Sequence, residues 1–165
     1  MIYTQIEFFQ RMSEAAKAAE HVFPDMAAAE ACLESGYGSS ALYREGLNVF
    51  GLKQRSHPVH GTVMMPTREF LEGAWTEVNA AWVKYDNLAE CFEDRMETLI
   101  RLKNAYANYA AALAATDPVT YIYQVSQKWS TDPQRAQKCL AIYNGYFASV
   151  PTTAGQVQDA TAGEN

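Results

Sequence analysis

Apolar and polar positions change their spacing several times along the chain, and each change marks an element. Thr4 followed by Glu7 has the form of a capping box, after which Ile6, Phe9, Met12 and Ala16 recur at helical spacing. That first helix is expected to pack on a second, Ala-rich one. The second starts at about Pro24 with Asp25 beside it and ends at Gly36. A short helix or turn is expected around Ser39 to Glu45. The period then drops to two. Thr62–Phe70 and Trp75–Tyr85 read as two strands of a hairpin, with Glu72-Gly73 as its turn. Pro66 predicts that the first strand is an edge or bulged strand. Alternation puts Val63, Met65, Thr67 and Glu69 on one face.

The helical period returns in Leu88, Phe92, Met96, Leu99, Leu102, Tyr106, Tyr109 and Leu113. This spacing predicts one long amphipathic helix at the centre of the fold. Two Thr-Asp-Pro triplets follow, at residues 116–118 and 131–133. In each, Asp is expected as N-cap and Pro as first helical residue, starting helices over Pro118–Lys128 and Pro133–Phe147. Val150 to Asn165 carries almost no large apolar side chain and reads as a mobile tail or the start of a linker. The pattern as a whole predicts one domain over residues 1–149, a tail over 150–165, and an α+β fold that is mainly helical with one β-hairpin lobe.

Composition narrows the classes of function. With 165 residues, 48% of them hydrophobic and 19% charged, the chain has the balance of an ordinary globular domain. A net charge of −6 argues against nucleic acid as a partner. It also offers no long-range attraction to an anionic polymer. Cys32, Cys91 and Cys139 cannot all pair within one chain, and their apolar contexts predict three buried thiols. His57 and His60 flank Pro58, but no Cys or carboxylate completes a set of ligands there, so no metal site and no cofactor is expected. Met1 to Phe23 lacks the basic start and apolar stretch of a signal peptide, and no run is long enough to span a membrane.

Candidate chemistry centres on Glu34. Its expected place is the last turn of the second helix, beside unpaired carbonyls and the negative end of the macrodipole. That setting disfavours a charged carboxylate and suits a general acid working near neutral pH. An exposed Glu near a helix end is the plainer alternative. A carboxyl acting as general acid is often paired with a second carboxylate that reaches the same cleft from another element. Spacing alone leaves Glu69, Glu72 and Glu77 open for that place.

Two segments carry a resemblance. Leu33-Glu34-Ser35-Gly36-Tyr37-Gly38 and Asn48-Val49-Phe50-Gly51-Leu52-Lys53 together resemble the "L-E-S-G-x-G" and "N-x-F-G-x-K" patterns of the glucosaminidase family of peptidoglycan hydrolases, glycoside hydrolase family 73. A lytic transglycosylase would follow its E-S with a G-A-x-G-L-M-Q type segment instead. Met65 to Gly73 is similar to the family's hairpin pattern "T-T-E-Y-x-x-G", which places the family's second catalytic Glu on Glu69. Trp129-Ser130-Thr131-Asp132-Pro133 is similar to "Y-A-T-D-P-x-Y", with Trp129 standing where a Tyr is expected. The sugar-stacking face is kept there and the hydroxyl is lost.

The resemblance covers Ile6 to Tyr146 and implies a lysozyme-like fold. It implies Glu34 as general acid and Glu69 as second carboxylate, with Tyr37, Asn48, Phe50 and Trp129 contacting substrate. Asn48 is expected to bond an N-acetyl group and Phe50 to form the groove floor. The implied activity is an endo-β-N-acetylglucosaminidase acting on the glycan strands of peptidoglycan. Alternatives are a muramidase of the same fold and a non-catalytic wall-binding or assembly module. The implied partner is peptidoglycan, with no nucleic acid and no membrane. A protein made in the cytoplasm would reach the wall by lysis, a phage particle, a delivery partner or specialised export.

Overall fold

The computed structural model describes residues 3–150, so the segment read as a tail, residues 150–165, lies outside the described residues apart from Val150. Helix α1 (Gln5–Ala18) begins with the expected reciprocal cap. The Thr4 backbone donates to Glu7 Oε2 at 2.8 Å, and the Glu7 backbone donates to Thr4 Oγ1 at 3.2 Å. Its inner face is Phe8, Phe9, Met12, Ser13 and Ala16. Ile6, expected on that stripe, is 42% exposed, because the buried stripe starts one turn later at Phe8 and Phe9.

Helix α2 (Pro24–Ser35) is buried almost all round. Every residue from Met26 to Cys32 is buried, and the helix packs on α1 and on the last helix, α7 (Arg135–Ser149). It is therefore the central helix, a place the sequence pattern gave to the long run from Leu88. Four short Ala side chains let neighbours approach from every side, and a helix apolar all round belongs in an interior. Gly36 ends it in the left-handed conformation at φ 55°. At Gly38 (φ 81°) a Cβ would lie 2.5 Å from the Phe8 ring and 2.9 Å from the Tyr43 ring. The bare backbone there lets the chain turn tightly into α3 (Ala41–Gly46), which Ser40 caps.

The hairpin pairs β1 (Gly61–Leu71) with β2 (Ala74–Lys84) in unbroken register, Gly61 opposite Lys84 and Leu71 opposite Ala74. Glu72 (φ 50°) and Gly73 (φ 82°) form a two-residue turn with both residues left-handed. Pro66 makes no bulge. Counting from the turn, Pro66 and Asn79 form a non-hydrogen-bonded pair, so the ladder needs no N–H from Pro66. Val63, Met65, Thr67 and Glu69 share the half-buried face, as alternation requires. The base of the hairpin is tied to the body by Val83 N to Leu52 O (3.0 Å) and Tyr85 N to Gly46 O (3.0 Å). Its tip carries the exposed pair Phe70 and Trp75.

The run from Leu88 to Leu113 is two helices, α4 (Leu88–Leu102) and α5 (Ala107–Leu113). The N–H groups of Ala105 and Tyr106 both donate to Leu102 O at 3.0 Å, closing α4. The apolar period carries across the break, so periodicity alone could not reveal it. Asp117 caps α6 (Pro118–Trp129) as expected, its carboxylate accepting from Thr120 N at 2.8 Å. Asp132 does not cap α7. It accepts from Gln134 N at 2.9 Å and Lys138 Nζ at 2.6 Å, and the helix starts at Arg135 rather than Pro133. The three cysteines are free and buried, and burial pushes each thiol up to about 12. No helix among the described residues is long and apolar enough to cross a membrane.

Candidate active site

Glu34 stands in the last turn of α2. Nearby helix-end carbonyls are in use: Tyr37 N donates to Cys32 O (2.8 Å) and Ser35 Oγ to Ala31 O (2.7 Å). The Glu34 side chain is 28% exposed. Its Oε1 accepts from Arg135 Nε at 2.8 Å, while Oε2 accepts no hydrogen bond among the described residues. A cation thus sits against the carboxylate, which the helix-end argument did not include.

Behind Glu34 lies a buried charge cluster. Arg135 donates from Nη1 to Ser126 Oγ (2.9 Å) and from Nη2 to Glu30 Oε1 (2.9 Å). Glu30, one turn before Glu34 on α2, is fully buried. Its Oε1 also accepts from Arg95 Nη2 at 2.7 Å, and its Oε2 from the Tyr121 hydroxyl at 2.9 Å. Burial alone would raise the Glu30 carboxyl, but the Arg95 and Arg135 charges overcome it and hold the group at about 2. Burial pushes the neighbouring His21 down to about 3, against the pull of Glu30, so its ring is neutral at pH 7. Arg95 sits between two rings, its guanidinium carbon 3.7 Å from the Trp129 centroid and 4.6 Å from that of Phe50. Its Nε and Nη1 have no hydrogen-bond partner among the described residues, and the ring faces take that place.

Sequence reasoning missed Glu30, Arg95 and Arg135, although two signals were present. Arg95 falls on the apolar stripe between Phe92 and Leu99, and Arg135 falls on the last position of the "Y-A-T-D-P-x-Y" pattern, where the pattern has an aromatic.

The other expected contacts separate into two groups. Trp129 ends α6 and lines an open groove with Tyr123, Ser126, Ser130, Thr131 and Ala136. Arg95 covers one face of its indole, and Phe50 and Tyr109 pack against it at centroid distances of 6.4 and 6.3 Å. Ser126 connects this groove to Glu34 through Arg135. Tyr37 lies on another side, lining a groove with Phe8, Gly38, Ser39 and Tyr43. Burial, and then the neighbouring Cys32, raise its hydroxyl above the ordinary tyrosine value.

Asn48 and Phe50, expected at the substrate, are both buried in the structure. Asn48 is 2% exposed; its Nδ2 donates to Leu52 O and Val83 O, both at 2.9 Å, and its Oδ1 accepts from Leu52 N at 3.1 Å. Both amide hydrogens are therefore engaged within the fold. Phe50, also 2% exposed, is core beneath Arg95 and edge-on to Phe92, so its ring offers no groove floor.

On the hairpin, Glu69 shares its face with Val63, which packs on Gly46 of α3. Its Oε1 is paired with Lys53 Nζ at 2.9 Å, and the side chain is 39% exposed. Glu77 pairs with Arg68 across the strands, on the opposite face, and Glu72 is in the turn. Of the three acids, only Glu69 is on the face turned to the body. His60 lies 3.7 Å from Glu90, and no group of three His, Cys, Asp or Glu side chains that could hold a metal ion occurs among the described residues.

Comparison with known proteins gives concordant results. The Glucosaminidase family model, described as mannosyl-glycoprotein endo-beta-N-acetylglucosaminidase, matches residues 10–148. The exo-glucosaminidase LytG of Bacillus subtilis is 31% identical over 136 residues, covering 76% of this chain and 45% of that protein. A probable N-acetylmuramidase of Lactococcus lactis subsp. cremoris is 26% identical over 132 residues, covering 78% of this chain and 30% of the relative. The chain thus spans less than half the length of these relatives. Among solved structures, the truncated glycoside hydrolase domain of Salmonella typhimurium FlgJ superposes with a TM-score of 0.70 at 26% identity, covering 89% of this chain and all of that one. The catalytic domain of the Listeria monocytogenes autolysin Auto superposes with a TM-score of 0.73 at 24% identity, covering 89% of this chain and 88% of that one, a likeness of fold.

Proposed function

The chain belongs to the glucosaminidase family, and from that premise we propose that it hydrolyses the glycan strands of peptidoglycan as an endo-β-N-acetylglucosaminidase. The observation that carries this reading is the setting of Glu34. One oxygen is fixed from behind by Arg135, the other has no partner among the described residues, and the carboxyl opens to solvent from the end of the most buried helix. Protonated, Glu34 delivers its proton to the glycosidic oxygen as the bond to the anomeric carbon breaks. Glu69 serves as the second carboxylate, activating water, attacking the sugar or stabilising the developing positive charge. It comes from a two-stranded unit tied to the body by backbone hydrogen bonds at its base and by the Lys53–Glu69 pair further out, and such a unit can close over a glycan. Trp129 supplies the free side of its indole for stacking on a sugar ring, and Tyr37 a second contact beyond Glu34.

Relatives named for both glucosaminidase and muramidase activity keep a muramidase as the second reading. Lysis, a phage particle, a delivery partner or specialised export would bring the protein to the wall. The test is the reducing-end sugar released from purified peptidoglycan, identified by mass spectrometry. N-acetylglucosamine ends support the proposal. N-acetylmuramic acid ends support the muramidase reading, and no new reducing ends would leave only a binding module.

A further inference from the structure

We propose that Arg135 is a positioning residue for Glu34, and that Glu34 is the counter-ion of the buried Glu30–Arg95–Arg135 cluster, so that this cluster sets the upper pH limit of activity. The inference rests on the assignment of Glu34 as general acid. It starts from the three contacts of Arg135. The guanidinium is 2% exposed and held by acceptors on two helices, Glu30 of α2 and Ser126 of α6, while Nε is directed at Glu34. A planar fork fixed at two ends leaves its third donor little freedom. Glu34 Oε1 is thereby pinned, and Oε2 is the oxygen left to carry and release a proton.

Charge counting gives the second half. In the cluster behind Glu34, α2 brings the Glu30 carboxylate and α4 brings the Arg95 cation that pairs with it. Helix α7 brings Arg135 and the Cys139 thiol, and α6 brings Ser126 and the Tyr121 hydroxyl. Tyr109 on α5 and His21 ahead of α2 complete the surroundings. Burial keeps Cys139 and Tyr121 protonated, and His21 is neutral at pH 7. One anion and two cations remain, a net charge of +1 without Glu34. An ionised Glu34 brings the group to zero through its 2.8 Å contact with Arg135 Nε, at the solvent-facing edge of the buried cluster.

Opposite substitutions must then move the alkaline limb of the pH–rate profile in opposite directions. Arg135→Met leaves the rest of the cluster neutral, so ionising Glu34 creates an unbalanced charge and the limb moves up. Glu30→Gln leaves two cations facing Glu34, so the limb moves down. The experiment measures kcat and KM on soluble peptidoglycan glycan fragments from pH 4 to 9 for the wild type, both variants and Arg135→Lys. For Arg135→Met, kcat is expected to fall about tenfold or more with KM within a factor of two, because orientation of a reacting group is lost rather than substrate contact. Arg135→Lys, which keeps the charge, is expected to restore the limb but not the full kcat.

Limbs that stay in place, or shift in the same direction in both variants, would overturn the inference. If either variant does not fold, the Arg135 Nε–H resonance of the wild type gives the same information. It should titrate together with the alkaline limb, and a resonance insensitive to pH in that range would overturn the proposal. An active Glu34→Gln would instead remove the general-acid assignment itself. An inactive Glu34→Gln with unmoved limbs would leave that assignment standing and remove only the role of the cluster.

Discussion

Replacing Asn48 by Ala separates a scaffold role from a substrate role at a position where the sequence pattern points to substrate. The Asn48 amide closes the Asn48–Leu52 loop on itself and ties it to Val83 at the end of β2. Its removal deletes three hydrogen bonds and leaves Val83 O and Leu52 N to find new partners in a largely dry site, while Leu52 O keeps its bond from Val83 N. Each lost bond costs about 0.5 to 1.5 kcal/mol, and more where the abandoned group stays unsatisfied. A loss of roughly 2 to 4 kcal/mol in unfolding free energy is therefore expected. For a domain of this size that lowers the melting temperature by roughly 5 to 15 °C. The assay is urea unfolding followed by circular dichroism, with KM measured well below the new transition. KM should change little, since the amide is buried and both its hydrogens are engaged within the fold. Unchanged stability together with a raised KM would refute the reasoning and return Asn48 to the substrate.

Three further outcomes are expected. Glu69→Gln should lose most of the activity while Glu77→Gln retains it, because the two acids lie on opposite faces of the hairpin; steady-state rates on peptidoglycan decide this, and the reverse order would move the second carboxylate to Glu77. Trp129→Ala should raise KM and lower stability together, since it uncovers the buried Arg95 as well as removing the stacking face, each effect worth about 1 to 2 kcal/mol; Trp129→Tyr keeps a ring over Arg95 and should recover most of the stability. Folding stability should fall as the solution is acidified. His21 is depressed from 6.5 to about 3 and Glu30 from 4.5 to about 2, so the unfolded chain takes up the extra protons, first on His21 below about pH 6.5 and then on Glu30 below about pH 4.5. Each proton gives a slope of about 1.4 kcal/mol per pH unit at most, read as a falling urea midpoint between pH 7 and pH 4, and a flat midpoint would contradict the buried positions of both groups.

The elements with a strong local signal were legible in the sequence. The hairpin declared itself through period-two alternation and Glu72-Gly73, and α2 through Pro24 and Gly36. What failed were inferences that depend on neighbours. The α4–α5 break leaves the apolar period intact, and Asp132 found Lys138 and Gln134 rather than a helix start. Ala-rich α2 became central because its neighbours could approach closely, which a ranking by side-chain size does not reveal. At the site, the helix-end placement of Glu34 was local and therefore readable. The cluster behind it joins residues 30, 95, 121 and 135 on four helices. Only the assembled fold brings those together. Charged side chains in a helical pattern are ordinarily read as solvent-facing, and Arg95 and Glu30 reverse that reading because each satisfies the other. Phe50 and Asn48 lie in a segment whose pattern resembles a hydrolase family, but the structure uses them to hold the loop.

The most direct test of the central claim is the rate at which Glu34→Gln releases reducing ends from purified peptidoglycan. Gln keeps an oxygen for Arg135 Nε to donate to, so circular dichroism and the melting temperature should remain close to those of the wild type. What it lacks is the proton, and loss of a general acid costs about 10² to 10⁴ in rate. A folded variant slowed by that factor is the predicted result. A folded variant that clears the wall at nearly the wild-type rate would contradict the assignment of Glu34 as the acid.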